Sequence, residues 1–339
     1  MTFHMRGAAR SFFGAACLVL FGCEGETSSA GTDAGSSNGG MDSSVNAGVD
    51  SGIDMDGALP DAQQPGMDSA APDAAVACKP FVAPADCDIP ENGSLPSELR
   101  CTGLYSDAET RSIACGVLPY APAHALWSDG SVKNRWVSLP AGAKIDVTDP
   151  DSFVYPVGTQ FWKEFNLKTP GGGTRLGETR IMRKVTADDW VYTSYVWNEE
   201  GTNATKQDNG VVNLFGLNHD VPTRDQCLEC HQGRRNIDGA TERLDLILGW
   251  DPILLGPGAT GVTWDSLTAM NLLTTSSEDG IGGIVTDIPG APVEQAALGY
   301  LHANCGVSCH NRGTQAKAKL TGFFMRLDQG KLDSVHDTD

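Results

Sequence analysis

Between Glu24 and Ala77 the chain has no aromatic residue, no cysteine and no Lys or Arg, so a packed core has to be assembled from about residue 78 onward. The stretch is Ser, Gly, Ala and Asp, with too few large apolar side chains to offset the backbone entropy of folding. It holds ten acidic residues, about half of a net charge of −19 that comes from 24 Lys plus Arg against 43 Asp plus Glu. Like charges keep such a segment extended, so residues 23–77 are expected to be a disordered acidic tether. Asp54-Met55-Asp56 lies in no fixed repeat and does not suggest a calcium loop. With no basic surface visible, nucleic-acid binding is excluded. No segment reaches the roughly 18 apolar residues of a membrane span.

What precedes the tether reads as an address. Arg6 and Arg10 form a short basic region, and Ser11 to Gly22 follows without a charge. That run is too short to span a bilayer and suits the core of a signal peptide over residues 1–22. It ends at Leu20-Phe21-Gly22-Cys23, which resembles a bacterial lipobox with Cys23 as the lipidated residue. Acyl chains on Cys23 would tether an exported protein to a membrane without placing protein in the bilayer. Glu24 is not the aspartate associated with inner-membrane retention in enteric bacteria. By that resemblance the anchor is expected in the outer membrane, facing the periplasm or the cell surface.

Export changes what the ten cysteines mean, because thiols outside the cytoplasm tend to be oxidised or occupied. Cys17 leaves with the signal peptide and Cys23 is the lipid site. Cys78, Cys87, Cys101 and Cys115 lie in a Pro/Gly-rich lead-in, residues 78–118, and are disulfide candidates with three pairings open. Residues 119–216 read as β. Trp136 to Leu139, Phe161 to Leu167, Thr179 to Val185 and Trp190 to Trp197 are rich in aromatic and β-branched residues, punctuated by Pro and Gly. An antiparallel sandwich or barrel is expected. The aromatic series Trp136, Trp162, Trp190, Tyr192, Tyr195 and Trp197 at strand spacing is read as core rather than a sugar platform. Glu178 and Arg180 would share a strand face as an ion pair. From 217 to 339 the texture is helical, with helices expected over Thr241–Leu248, Thr263–Leu273 and Val293–Asn304.

The chemistry lies in that last segment. Cys227-Leu228-Glu229-Cys230-His231 is C-x-x-C-H, the pattern of covalent haem c attachment. Two thiols one helical turn apart can add to the two vinyl groups on a porphyrin edge, and the adjacent His can give a ring nitrogen to iron as proximal ligand. Cys305-Gly306-Val307-Ser308-Cys309-His310 has one residue more, C-x3-C-H, which still sets both sulfurs on one helix face. It is read as a second haem site, with a local disulfide as the alternative. One zinc shared by Cys227, Cys230, Cys305 and Cys309 would need a gap between pairs far beyond the usual ribbon spacing. Met270 is the candidate distal iron ligand. His219, His302 and Met325 are weaker ones.

Taken in order, the residues resemble a bacterial family of exported dihaem c-type cytochrome-like proteins. The matching stretches are Leu126-Trp127-Ser128-Asp129 with Lys133, Arg135 and Leu139-Pro140; Phe153 with Pro156-Val157-Gly158-Thr159 and Lys163; Arg175-Leu176 with Glu178-Thr179-Arg180; and Tyr195-Val196-Trp197-Asn198. They continue at Val221-Pro222, Gln226-Cys227, Cys230-His231, Tyr300-Leu301, Asn304-Cys305 and Cys309-His310. The resemblance implies a β domain followed by a mainly α cytochrome c-like haem domain over 217–339, incomplete at its C-terminus. It implies an electron-transfer lipoprotein that exchanges electrons with a redox partner protein. Two other readings are a dihaem peroxidase or oxidase, and a cell-surface binding lipoprotein whose cysteine clusters are disulfides.

Overall fold

The computed structural model describes residues 78–90, 93–237, 240–245, 247–274, 283–313 and 316–332, with no account of the side chains of 232–245. The segments expected to be a signal peptide, a lipobox at Cys23 and a tether lie outside the described residues.

The frame is one seven-stranded antiparallel sheet. Its strands are β1 (Val117–Ala121), β2 (Val132–Ser138), β3 (Gln160–Lys168), β4 (Thr174–Lys184), β5 (Trp190–Trp197), β6 (Ala204–Gln207) and β7 (Thr260–Gly261). The spatial order is β7-β1-β2-β3-β4-β5-β6. Strands expected from the aromatic and β-branched runs are all present; Trp190–Trp197 keeps its expected bounds, and β2 and β4 begin four and five residues earlier than expected. Successive side chains point to opposite faces, and the sequence fills both. Val137, Phe161, Met182, Trp190 and Tyr192 belong to one buried cluster, and Trp162, Ile181, Tyr195 and Trp197 to another. The aromatic series is therefore core, with Trp136 packed at the edge of the second cluster.

What covers each face differs from a two-sheet sandwich. The second cluster is closed by Leu95, Leu99, Leu104 and Tyr105 of the lead-in. That lead-in has little regular structure and is held by disulfides Cys78–Cys115 and Cys87–Cys101, which resolves the pairing. The first cluster is closed by Ile247, Trp250, Leu255, Val262, Trp264 and Leu267. Each such side chain contributes about 1.5–3 kcal/mol when fully buried. One core thus joins residues on both sides of position 217.

The mainly α cytochrome c-like domain expected for 217–339 is not what the described residues form. Their α-helices are short: α1 (Arg224–His231), α2 (Trp264–Ala269) and α3 (Pro292–Leu301). Thr241–Leu248 is not a helix. Gln232–Ile237 and Ala240–Asp245 pair as an antiparallel hairpin. Leu244, Leu246 and Leu248 alternate with period 2, and Asp238-Gly239 between the strands is a hairpin composition. The expected helix over Thr263–Leu273 shortens to α2, which a Thr263/Ser266 capping box starts. The third begins at Pro292, in the favoured first helical position, and at His302 gives way to a π-turn over His302–Gly306. No helix among the described residues is long and apolar enough to cross a membrane.

Candidate functional site

Helix α1 carries the first motif and is fixed at its start by a reciprocal cap. The Thr223 N–H donates to Gln226 Oε1 at 2.8 Å, and the Gln226 N–H donates to Thr223 Oγ1 at 3.3 Å. Two turns later the helix ends on His231. Cys227 and Leu228 pack against the core on the Phe161 face of the sheet. Cys227, Cys230 and His231 line a cavity of about 160 Å³ whose apolar wall includes Phe161, Met182 and Tyr192 and whose charged wall is Lys163 and Arg180. The His231 and Tyr192 rings lie 5.9 Å apart. Burial pushes both thiols up; Arg180 draws Cys227 back down, whereas Cys309 pushes Cys230 further up.

Beneath the helix the sheet carries charge. Arg135, Lys163 and Arg180 are direct neighbours across β2, β3 and β4. In the next row Lys133, Phe165 and Glu178 are neighbours. Glu178 Oε1 accepts from Arg180 Nε at 3.0 Å and from His219 Nε2 at 2.8 Å, so the expected Glu178–Arg180 pair is present. Burial acts to raise the Glu178 carboxyl, but Arg180 and His219 outweigh it and hold it at about 2. Burial, then the surrounding cations, push Lys163 well below the usual ammonium value and Lys133 down to about 8. Sequence reasoning missed this cluster as a unit. The local signals are Lys133-x-Arg135 and Glu178-x-Arg180, each within one strand; that the two pairs and Lys163 share one patch depends on register.

The second motif follows α3. Two hydrogen bonds span five residues each, from Val307 N–H to His302 O at 3.0 Å and from His310 N–H to Cys305 O at 2.8 Å. Asn311 Nδ2 supports the turn by donating to Gly306 O at 2.9 Å and Val307 O at 3.0 Å. His310 Nδ1 lies 3.0 Å from the Phe323 carbonyl, which can only accept, so Nδ1 is the donor there and Nε2 is the nitrogen turned away from that bond. Metal-binding histidines are typically oriented in this way by a carbonyl behind the ring.

The structure brings the two motifs together. Cys309 pushes the Cys230 thiol up, and Lys317 pairs with Glu229 across the junction. Asn304 Oδ1 accepts from the Trp127 N–H at 2.7 Å, and its Nδ2 donates to the Tyr300 carbonyl at 3.0 Å. Lys133 Nζ donates to Leu126 O at 2.8 Å. Stretches that are far apart in sequence thereby converge on one region. Cys227, Cys230, Cys305 and Cys309 are free thiols. No group of three or more His, Cys, Asp or Glu among the described residues is arranged to hold a metal, so the shared zinc finds no support.

The weaker ligand candidates are placed elsewhere. Met270 ends α2, is 44 % exposed, and is not among the residues lining the cavity. His302 is buried with both ring nitrogens engaged: Nδ1 accepts from the Leu327 N–H at 3.0 Å, and Nε2 donates to Asp251 Oδ2 at 3.1 Å. His219 is committed to Glu178. Met325 meets His310 through its backbone, with its N–H on His310 O at 2.9 Å.

The donor set suits a haem edge. Two thiols and an imidazole on one helical turn stand between an apolar wall and two cations, which matches an apolar ring carrying carboxylates. No family model, no curated protein and no solved structure matches this chain.

Proposed function

We propose that this protein is an exported c-type cytochrome-like lipoprotein that transfers electrons, with haem c attached at Cys227 and Cys230 and at Cys305 and Cys309. The observation that carries the reading is the division of the eight cysteines. Four close two disulfides, and the four free ones are those that abut His231 and His310, with Cys309 near enough to push the Cys230 thiol up. In attachment each thiol adds across a vinyl group, the sulfur forming a C–S bond and the proton going to the neighbouring carbon, with no oxidant required. His231 and His310 would be the residues that hold the iron. The bound iron supplies one-electron chemistry between Fe(III) and Fe(II). Cys23 would carry the lipid anchor, and a redox protein at the same membrane would be the partner.

A second reading is a peroxidase- or oxidase-type dihaem enzyme. It is favoured by the placement of the distal candidates: His219 and His302 are hydrogen-bonded elsewhere, and Met270 does not line the cavity. An iron with an open position can react with peroxide or oxygen.

The test is expression in a host with a haem c maturation system, followed by a pyridine haemochrome spectrum and haem stoichiometry. Two haems per chain are expected. A chain without covalent haem would sink both readings, and the cysteine clusters would then be judged as thiols of a binding protein. Turnover of peroxide with an added reductant separates enzyme from carrier.

A further inference from the structure

The sheet beside α1 carries a charge arrangement that the fold alone does not need. Arg135, Lys163 and Arg180 stand directly opposite one another on three adjacent strands, and like charges so placed on a sheet are destabilising. Arg135 is only 7 % exposed. Neither it nor Lys163 has a hydrogen bond or an ion pair with a described residue. Lys163 Nζ instead stands 5.0 Å from the centre of the Phe165 ring. Lys133, two residues along β2, adds a fourth cation. The carboxylates nearby are Glu178, already taken by Arg180 and His219, and Asp129 beside Lys133. Arg135 is buried without such a partner; Lys163, half-buried and also without one, borders the cavity beside Arg180, whose charge Glu178 already meets. Unmet positive charge is costly, so this edge of the cavity marks a place where an anion enters. Lys163 and Arg180 share that cavity with Cys227, Cys230 and His231.

We infer that Arg135, Lys163 and Arg180 form a carboxylate seat, and that it receives the propionate arms of the haem attached at Cys227 and Cys230. The inference rests on the haem reading above and adds to it that the β-sheet, rather than a helical shell, holds the polar edge of the ring. Guanidinium and ammonium groups supply charge-assisted hydrogen bonds to such oxygens. The same chemistry would also seat a small free dianion, and the experiment separates the two sources.

The holoprotein is compared with its Lys163→Met and Arg135→Gln variants. Lys163→Met keeps the stem of the side chain and orphans no partner, so the haem-free chain is expected to melt no lower than the parent. Haem per chain is expected to stay unchanged, because the thioether bonds do not depend on the seat. The propionate bending bands in resonance Raman spectra are expected to shift in both variants. Haem attached with those bands unmoved would overturn the seat and leave the haem reading standing. Should the parent chain carry no haem, the haem reading fails, and the haem-free proteins are titrated with inorganic phosphate by calorimetry. Saturable binding that Lys163→Met abolishes would replace the propionate assignment with a free anion, and absence of binding would overturn the seat altogether.

Discussion

The backbone N–H of His310 donates to the carbonyl of Cys305 at 2.8 Å, closing a turn over five residues. In an α-helical C-x-x-C-H the same link, from the His N–H to the first Cys carbonyl, closes over four. The extra residue of C-x3-C-H is taken up by the wider π-turn, a device that often marks functional sites. The relation of first Cys to His is kept. Deleting Ser308 restores the shorter spacing, and haem count is expected to stay as in the parent. Gly306→Ala keeps the spacing, but its Cβ would stand 2.5 Å from Met325 O and 2.6 Å from Arg326 N, backbone atoms that cannot turn away. It is expected to cost about 1–3 kcal/mol and to lose the second haem while the first remains. Haem per chain is the measurement, and two haems on Gly306→Ala would contradict the argument.

His302 serves the fold on this reading, holding the π-turn to two distant segments through Asp251 and Leu327. Asp251→Ala leaves its buried Nε2–H without an acceptor. A loss of about 1–3 kcal/mol in urea denaturation is expected, with no change in the Soret spectrum of the holoprotein. A shifted Soret band would instead make His302 an iron ligand.

The strands were legible because their signal is local. The Phe161-Trp162 and Tyr192 to Trp197 runs alternate between two buried faces, and both faces are covered. Helix α1 was not among the expected helices, although the cysteine spacing and Thr223 and Gln226 three residues apart are local signals for it. The hairpin after His231 was misread because the leucines at 244, 246 and 248 fit either period when the Asp-Gly pair before them is not weighed. The disulfide pairing and the cationic row are different in kind. Each member has an ordinary local sequence, and only register or chain path brings Arg135 beside Lys163, or Cys78 within 5.3 Å of Cys115 between Cα atoms.

The two disulfides close loops of different length, 37 residues for Cys78–Cys115 and 14 for Cys87–Cys101. Loop-closure entropy assigns about 3.8 kcal/mol to the longer and about 3.0 kcal/mol to the shorter. The shorter loop lies inside the longer one and stays closed in the otherwise oxidised protein, so replacing the Cys78–Cys115 pair with Ala is expected to destabilise more by about 0.5 kcal/mol in denaturation. Both losses should act through the lead-in that covers Trp162 and Tyr195. A larger loss from Cys87–Cys101 would point to native packing rather than chain entropy as the source.

Glu178 is fully buried and is the main carboxylate facing the cationic row. Its carboxyl sits at about 2, against an ordinary 4.5, because Arg180 and His219 outweigh the effect of burial. The unfolded chain therefore takes up the proton first as pH falls. The stabilisation is complete above about pH 4.5 and is lost between 4.5 and about 2. Glu178→Gln removes this charge and leaves Arg180 and Lys163 facing each other uncompensated. A loss of about 3–5 kcal/mol at neutral pH is expected, as for breaking a buried pair. Because the parent loses its own advantage on acidification, the gap between parent and variant should narrow from pH 7 to pH 3. Urea denaturation of both proteins at the two pH values measures it, and a gap that stays constant would show that Glu178 acts through packing rather than through its charge.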